Sequence, residues 1–243
     1  MKVTNCTWEM RNIDLRVFEL EIPKASERIE GDLADALKAV EHDADLLVLK
    51  MPNGEPTMYQ EALEHGFFFV ELQFELSISL NQWTPPNARL VAECSKADAK
   101  GLAKARAALS NGIFENDRIS LAPQVSADRA ARRMLFWMDD ELGGGADLLI
   151  CRSGEREHGF FLFRELEGRP YVAFSSTFEK EGPGGVFLQY SLLQFLKSRG
   201  YGSFKATVSS NNLGALRLNL SSGLNIDSSR AVFHKFCGFR SDG

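Results

Sequence analysis

Tyr171-Val172-Ala173-Phe174-Ser175-Ser176-Thr177-Phe178 runs into Glu179-Lys180-Glu181-Gly182-Pro183-Gly184-Gly185 and then into Val186-Phe187-Leu188. The first eight residues are rich in β-formers and read as a strand. Residues 187–199 read as an amphipathic helix with Leu188, Leu192, Phe195 and Leu196 inward and Gly200 as its stop. Between them, three glycines let main-chain N–H groups approach a ligand without obstruction. The helix start adds unpaired donors, expected at Val186 and Phe187, and a partial positive charge of about 0.5. Such a join suits a phosphate or a pyrophosphate. A plain turn accounts for the glycines equally well. The loop lacks the Gly-Lys-Ser/Thr ending of a P-loop and the G-x-G-x-x-G of a dinucleotide-binding unit, which argues against both classes.

Outward from this join, residues 204–209 read as the next strand. Asn212 opens a helix that Gly223 ends, and residues 232–236 read as the last strand. Two stretches now stand in register: Glu181-Gly182-Pro183-Gly184-Gly185-Val186 and Asn212-Leu213-Gly214-Ala215-Leu216-Arg217-Leu218-Asn219, with Gly223-Leu224 after them. Together they resemble the two motifs of the GNAT superfamily of acyl-CoA-dependent N-acyltransferases, R/Q-x-x-G-x-G/A and N-x-x-A-x-x-L-Y-x-x-x-G-F. The resemblance covers residues 112–243. The N-terminal segment with Trp8-Glu9-Met10-Arg11-Asn12, and Asn116-Asp117-Arg118-Ile119-Ser120, resemble the two-domain TDP-fucosamine acetyltransferase branch of that family.

The resemblance implies a splayed central sheet with pantetheine lying in the gap like an added strand. Ser175, Ser176, Thr177 and Phe178 would supply main-chain contacts to it. Gly182, Gly184 and Gly185 would cradle the pyrophosphate, with Val186 and Phe187 adding helix-start amides. Asn212 would cap its helix and either contact the pantetheine arm or do nothing more. Acetyl-CoA, or another acyl-CoA, is the implied cosubstrate, and no metal is implied. Two positions depart from the pattern. Glu181 stands where Arg or Gln is usual, and Asn219 stands where a tyrosine protonates the leaving thiolate in many members. An amide is no proton donor of that kind, so Ser210 or water is left for the role. Glu165, Glu179 and His158 are candidates for the base that takes the amine's proton. Each has a plainer reading, as solvated surface for the two glutamates and as a turn residue for the histidine.

The rest of the chain alternates strands and helices. Residues 17–22 and 46–51 read as strands, and residues 32–42 and 58–65 as helices. The clean alternation of Val70, Leu72, Phe74, Leu76, Ile78 and Leu80 with Glu71, Gln73, Glu75, Ser77 and Ser79 reads as a strand with one wet face. Pro85-Pro86 marks a boundary. Ser95-Lys96-Ala97-Asp98 has capping-box form and opens a helix to Leu109. A second helix starts at Ser126 and ends at Gly143-Gly144-Gly145, and residues 147–152 and 159–165 pair as strands. Arg129, Arg132 and Arg133 either hold an anionic acceptor or form a solvated face paired with Asp128, Asp139 and Asp140. Trp137 and Phe136 either stack on a base or sugar or fill the core. His234 alternates opposite the apolar positions of its strand and reads as exposed or packed at a sheet edge. Ala62-Leu63-Glu64-His65-Gly66-Phe67 before one strand faintly echoes Leu220-Ser221-Ser222-Gly223-Leu224 before another.

Composition sets the frame. A 243-residue chain, 44% hydrophobic and 25% charged, is globular and large enough for one domain or two. A net charge of −5 argues against a broadly basic nucleic-acid surface. The apolar runs are too short to cross a membrane, and no signal-peptide core is visible, so a cytoplasmic location is expected. Four distant cysteines, Cys6, Cys94, Cys151 and Cys237, fit neither zinc spacing nor a redox pair and read as small core residues in a reducing compartment. The expected architecture is mixed α/β (α+β), a GNAT fold. A partial GNAT-like unit spans 1–84, a linker and helix 85–111, and a GNAT acyltransferase unit 112–243. The expected function is transfer of an acetyl or other short acyl group from coenzyme A to a primary amine of a small metabolite, with a nucleotide-linked amino sugar as one acceptor. The alternatives are a non-catalytic acyl-CoA-binding module and an acyltransferase that takes its donor from a carrier protein. A homodimer fits the reading; nucleic acid and membrane partners do not.

Overall fold

The computed structural model describes residues 1–23, 32–113, 117–179 and 182–238. Among these, ten strands form two sheets. The first half supplies β1 (Lys2–Asn5), α1 (Thr7–Ile13), β2 (Val17–Glu21), α2 (Asp32–Val40), β3 (Leu46–Pro52), α3 (Pro56–Glu64) and β4 (Phe68–Ser79). The second supplies β5 (Glu93–Lys96), α4 (Ala99–Ser110), α5 (Ala127–Gly143), β6 (Asp147–Ser153), β7 (Arg156–Leu166), β8 (Arg169–Thr177), α6 (Gly184–Ser198), β9 (Ser203–Ser209), α7 (Leu213–Ser221) and β10 (Asn225–Phe236). The smaller sheet has the order β5-β6-β7-β8, and the larger β1-β2-β3-β10-β4-β9.

The larger sheet draws on both units expected from the sequence. β10 lies between β3 and β4, antiparallel to both, and β9 pairs with the far side of β4. Two β–α–β units, β3–α3–β4 and β9–α7–β10, are therefore interlocked, each with its second strand beside a strand of the other. The faint sequence echo falls here. In both units the helix ends in a left-handed glycine, Gly66 at φ +79° and Gly223 at φ +99°. In both, the next amide returns to the helix, Phe67 N–H to the Ala62 carbonyl and Leu224 N–H to that of Asn219. A 12-residue strand follows each, and these two strands pair with each other.

Helices cover both faces. Leu188, Leu192, Leu193 and Leu196 of α6 pack on Phe161 and Phe163 of β7 and on Leu76 and Ile78 of β4, so one core spans both sheets. On the opposite face, Met134 and Met138 of α5 and Ala105 and Leu109 of α4 bury Ile150, Phe160 and Phe174. Residues 117–125 and Ala130 cover Val17, Leu46, Val48 and Val232.

Several local expectations are corrected. Ser95 and Lys96 lie in β5, held by a ladder to β6, and the helix cap is Asp98, whose carboxylate accepts the Gly101 N–H at 2.7 Å. Cys94 and Cys151, directly opposite in that ladder with Cα atoms 4.3 Å apart, form a disulfide; Cys6 and Cys237 are free and buried. His158 is not in a turn, because the β6–β7 hairpin turns earlier, through Gly154 at φ +60°. His234 is neither exposed nor at an edge. It sits on the enclosed strand β10 at 0% exposure.

Candidate functional site: the cleft between β8 and β9

β8 is the last strand of one sheet and β9 the last strand of the other; they neighbour each other without forming a ladder. A bulge in β8 accompanies the opening. Phe161 faces Ser175 but Phe163 faces Val172, so β8 has one extra residue against β7 near Ala173 and Phe174. Beyond the bulge the Phe178 N–H donates to the His158 carbonyl at 3.3 Å. Strand alternation then turns the main chain of Ser176 toward β7 as well, and that of Ser175 and Thr177 toward the open edge. Of the four residues expected to contact pantetheine, Ser175 and Thr177 present main-chain groups to the cleft. Phe178 faces away, with its ring 5.5 Å from that of Phe160 and under the Lys104 ammonium at 4.1 Å. Gly159 lets β8 come this close, since a Cβ there would collide with the Ser176 carbonyl and lie 3.0 Å from the Thr177 Cα.

The glycine loop closes one end of the cleft. The Thr177 hydroxyl donates to the Glu179 carbonyl at 2.7 Å, and the exposed Glu179 carboxylate pairs with Arg156 at 3.2 Å. Lys180 and Glu181 lie outside the described residues. Gly182 takes φ +99°, with open space where a Cβ would stand. α6 starts at Gly184, earlier than the sequence predicts. The N–H groups of Val186 and Phe187 both donate to the Pro183 carbonyl, so the helix-start donors without a partner among the described residues belong to Gly184 and Gly185. Both glycines have protein neighbours that would crowd a side chain. A Cβ on Gly184 would stand 3.2 Å from the His158 carbonyl oxygen, and one on Gly185 3.3 Å from Leu218 Cδ2. The glycines thus seat the start of α6 against β7 and α7, at the mouth of the cleft.

The remaining expected residues scatter. Asn212 caps α7, its side-chain oxygen accepting the Ala215 N–H at 3.0 Å, which leaves its NH2 uncommitted among the described residues. Asn219, 8% exposed, ties α7 to α6. Its oxygen accepts from Gln189 at 3.1 Å and its NH2 donates to the Ala215 carbonyl at 2.8 Å. Ser210 follows β9 and joins β4, its N–H donating to the Leu72 carbonyl at 2.7 Å and its hydroxyl oxygen accepting the Leu72 N–H at 3.0 Å. Glu165 pairs with Pro170 at the far end of the β7–β8 hairpin, about 20 Å along the strand from Gly159, where it accepts from Tyr201 at 2.6 Å. It is not brought to the cleft.

His158 lies under the start of α6, 5% exposed, with its ring stacked on Phe187 at 4.0 Å and its Nε2 3.0 Å from Ser153 Oγ. Burial first, and Arg156 second, hold its pKa below the usual histidine value. The arginine cluster is not an anion site. Arg132 bonds Asp14 at 2.6 Å and the Asn12 carbonyl at 3.0 Å, and Arg133 grips both oxygens of Glu9 at 2.9 and 3.0 Å. Arg129 lies 3.5 Å from Asp14. These arginines clamp α1 onto α5, with partners on α1, just beyond it and, for Arg133 at 3.8 Å, at Asp117, and not the helix-borne aspartates. Trp137 packs on Phe174 at 5.1 Å, and Phe136 lies under Arg11 at 4.7 Å.

The sequence reading missed Glu71. Alternation placed it on a wet face, yet it is 1% exposed. It accepts hydrogen bonds from the Ser209 hydroxyl and from Gln73 at 3.0 Å. Burial raises its pKa above the usual carboxylate value against the opposing pull of Ser209, Arg118 and Gln73.

No family model and no curated protein sequence matches the chain. Solved structures do. A GCN5-related N-acetyltransferase from Sphaerobacter thermophilus superposes with a TM-score of 0.62 at 15% identity, over 97% of this chain and 75% of that one. One from Kribbella flavida gives 0.54 at 15% identity, over 90% and 81%. A tandem GNAT protein from the clavulanic acid biosynthesis pathway gives 0.53 at 11% identity, over 91% and 75%. At these identities the likeness speaks for the fold. The chain has the mixed α/β fold of the GCN5-related N-acetyltransferases, and its β8 and β9 lie near each other without a ladder.

Proposed function

We propose that this protein transfers an acetyl or other short acyl group from coenzyme A to a primary amine of a small metabolite. The observation that carries the reading is the missing ladder between β8 and β9, ending at a glycine-lined helix start. A pantetheine arm carries amide groups and can bond the free edge of β8 as a strand would. Ser175 and Thr177 offer it main-chain donors and acceptors. The diphosphate would meet Gly182 and the amides of Gly184 and Gly185, where the helix end favours negative charge.

The neutral amine attacks the thioester carbon, and the thiolate leaves. Alignment of two bound substrates supplies much of the acceleration, and a β8 amide that polarises the thioester carbonyl supplies more. Water or the Ser210 hydroxyl, whose oxygen accepts the Leu72 N–H, then gives the thiolate a proton. Asn219 has no such role, because both ends of its amide are spent between α6 and α7. A nucleotide-linked amino sugar remains one acceptor to try, on the branch resemblance. Because no tyrosine occupies the Asn219 position, a non-catalytic acyl-CoA-binding module is the second reading.

Calorimetry with coenzyme A, followed by thiol release from acetyl-CoA across an amine panel, tests both. Binding with release for at least one amine is expected. Binding without release for any amine selects the second reading, and absence of binding removes both.

A further inference from the structure

The acyl-transfer reading needs a group to take the amine's proton, and the surveyed candidates are all engaged elsewhere. Glu165 is at the far hairpin end, Glu179 is paired with Arg156, and His158 is stacked on Phe187. Resting on that reading, we propose that Ser209 and Glu71 form the proton relay of the site, with the Ser209 hydroxyl facing the amine and Glu71 holding the proton.

The geometry is specific. Ser209 is the last residue of β9, the strand that borders the cleft. Val208 and Phe204 of the same strand pack into the core with α6, so Ser209 turns to the opposite face of the sheet. Glu71, on the neighbouring strand β4, turns to that face too. A hydroxyl has one proton, and that of Ser209 is donated to Glu71. One lone pair accepts the Asn211 N–H at 3.1 Å. The other is left for an incoming N–H. Gln73 holds the second carboxylate oxygen at 3.0 Å, fixing the carboxylate that orients the serine.

The surroundings enclose the carboxylate among charged groups. Arg118 and Asp117, from the segment before α5, both act on Glu71 and on His234. Arg118 shares Glu19 with Lys50, at 3.5 and 2.8 Å. Its Nε, buried, makes no hydrogen bond among the described residues. On β10, Val232 lies opposite Glu71, and His234 two residues on is held neutral by burial. Arg230, opposite Gln73, is committed to Glu21 and Glu75. A carboxylate enclosed in this way, with its pKa raised, is a stronger base than a solvated one.

The step balances. The amine nitrogen forms a bond to the thioester carbon, and the C–S bond breaks with its electron pair on sulfur. The amine's proton passes to Ser209 Oγ as the serine's own proton passes to Glu71. The products are the amide, the thiolate and a protonated Glu71, which returns its proton to solvent after release.

The test uses the full chain, acetyl-CoA and the panel amine that gives fastest thiol release. Glu71→Gln keeps the shape and removes the base; kcat/KM for the amine should fall about 100-fold, and the acid limb of its pH profile should vanish. Ser209→Ala should fall toward the same level, and Ser209→Thr, which restores a hydroxyl, should recover most of the rate. Coenzyme A affinity should hold in all three. Wild-type rates in Glu71→Gln and Ser209→Ala would overturn the relay while acyl transfer stands. So would loss of coenzyme A binding in both, which marks a structural role, or a Ser209→Thr variant as slow as the alanine. Absence of release by the wild type with every amine would overturn acyl transfer and the relay together.

Discussion

β2–α2–β3 and β8–α6–β9 are the same construction, a strand, a helix and a second strand, and they end differently. β2 and β3 close into a parallel ladder from Val17 opposite Leu46 to Glu21 opposite Lys50, and the Ile22 N–H adds a bond to the Lys50 carbonyl. β8 and β9 stay apart. β2 pairs with β1 in unbroken register, whereas β8 carries a bulge against β7. A bulge bends its strand and increases the twist, which turns the end of β8 away from β9. The closed copy satisfies its own main chain. The open one leaves the β9-facing main chain of β8 without a ladder and sets a glycine-lined helix start at its end. The difference teaches that a βαβ unit keeps an open main-chain edge when one strand is bent out of register.

The comparison can be broken most severely at Gly159. Gly159→Val places a side chain against the Ser176 carbonyl, which should cost about 3 kcal/mol in urea unfolding and abolish coenzyme A binding. Next comes Gly185→Glu, which crowds Leu218 and puts a carboxylate at the helix start. Calorimetry should show at least about a 100-fold weaker affinity, near 2.7 kcal/mol. Lys50→Met is the matching change in the closed copy. It breaks the pair with Glu19 and should cost about 2 kcal/mol of stability, with coenzyme A affinity unchanged.

His234 sharpens the comparison through pH. Burial pulls its pKa down to about 3, helped by Arg118. Its folded value lies below the unfolded one, so the unfolded chain takes up the proton first. Stability should be complete above about pH 6.5 and decline as pH falls toward 3, with about 2 kcal/mol lost by pH 5. In His234→Leu that part of the decline should disappear from urea titrations run at each pH. The smallest effect is expected at Asn219→Tyr. The larger ring must enter the α6–α7 seam and displaces the bond to Gln189, a cost of about 1 kcal/mol. Coenzyme A binding should survive and turnover should not rise.

The sequence carried the local grammar of the fold. Alternation marked β4, the glycines marked the helix ends at Gly66, Gly200 and Gly223, and Asn212 and Ser126 announced their helices as caps. What it could not carry was non-local. The insertion of β10 between β3 and β4 is a pairing choice between strands far apart in the chain. The pairing of Cys94 with Cys151 follows from β5, a strand of four residues hidden behind a capping-like motif. Glu71 and His234 alternate as wet-face residues do, yet both are buried, and on that face Val232 packs with Ile119, Ala122 and Val125 from another part of the chain. At the site, the strand–glycine–helix join was visible, whereas the donors fell to Gly184 and Gly185 because the helix began earlier than its apolar stripe.

Amide hydrogen exchange with and without coenzyme A tests the central claim most directly, since it reads both copies at once. Bound coenzyme A should slow exchange at Ser175, Thr177, Gly184 and Gly185, and leave β2 and β3 as they were. Unchanged exchange along β8 at saturating coenzyme A, or protection that appears in β2 and β3 instead, would contradict the account.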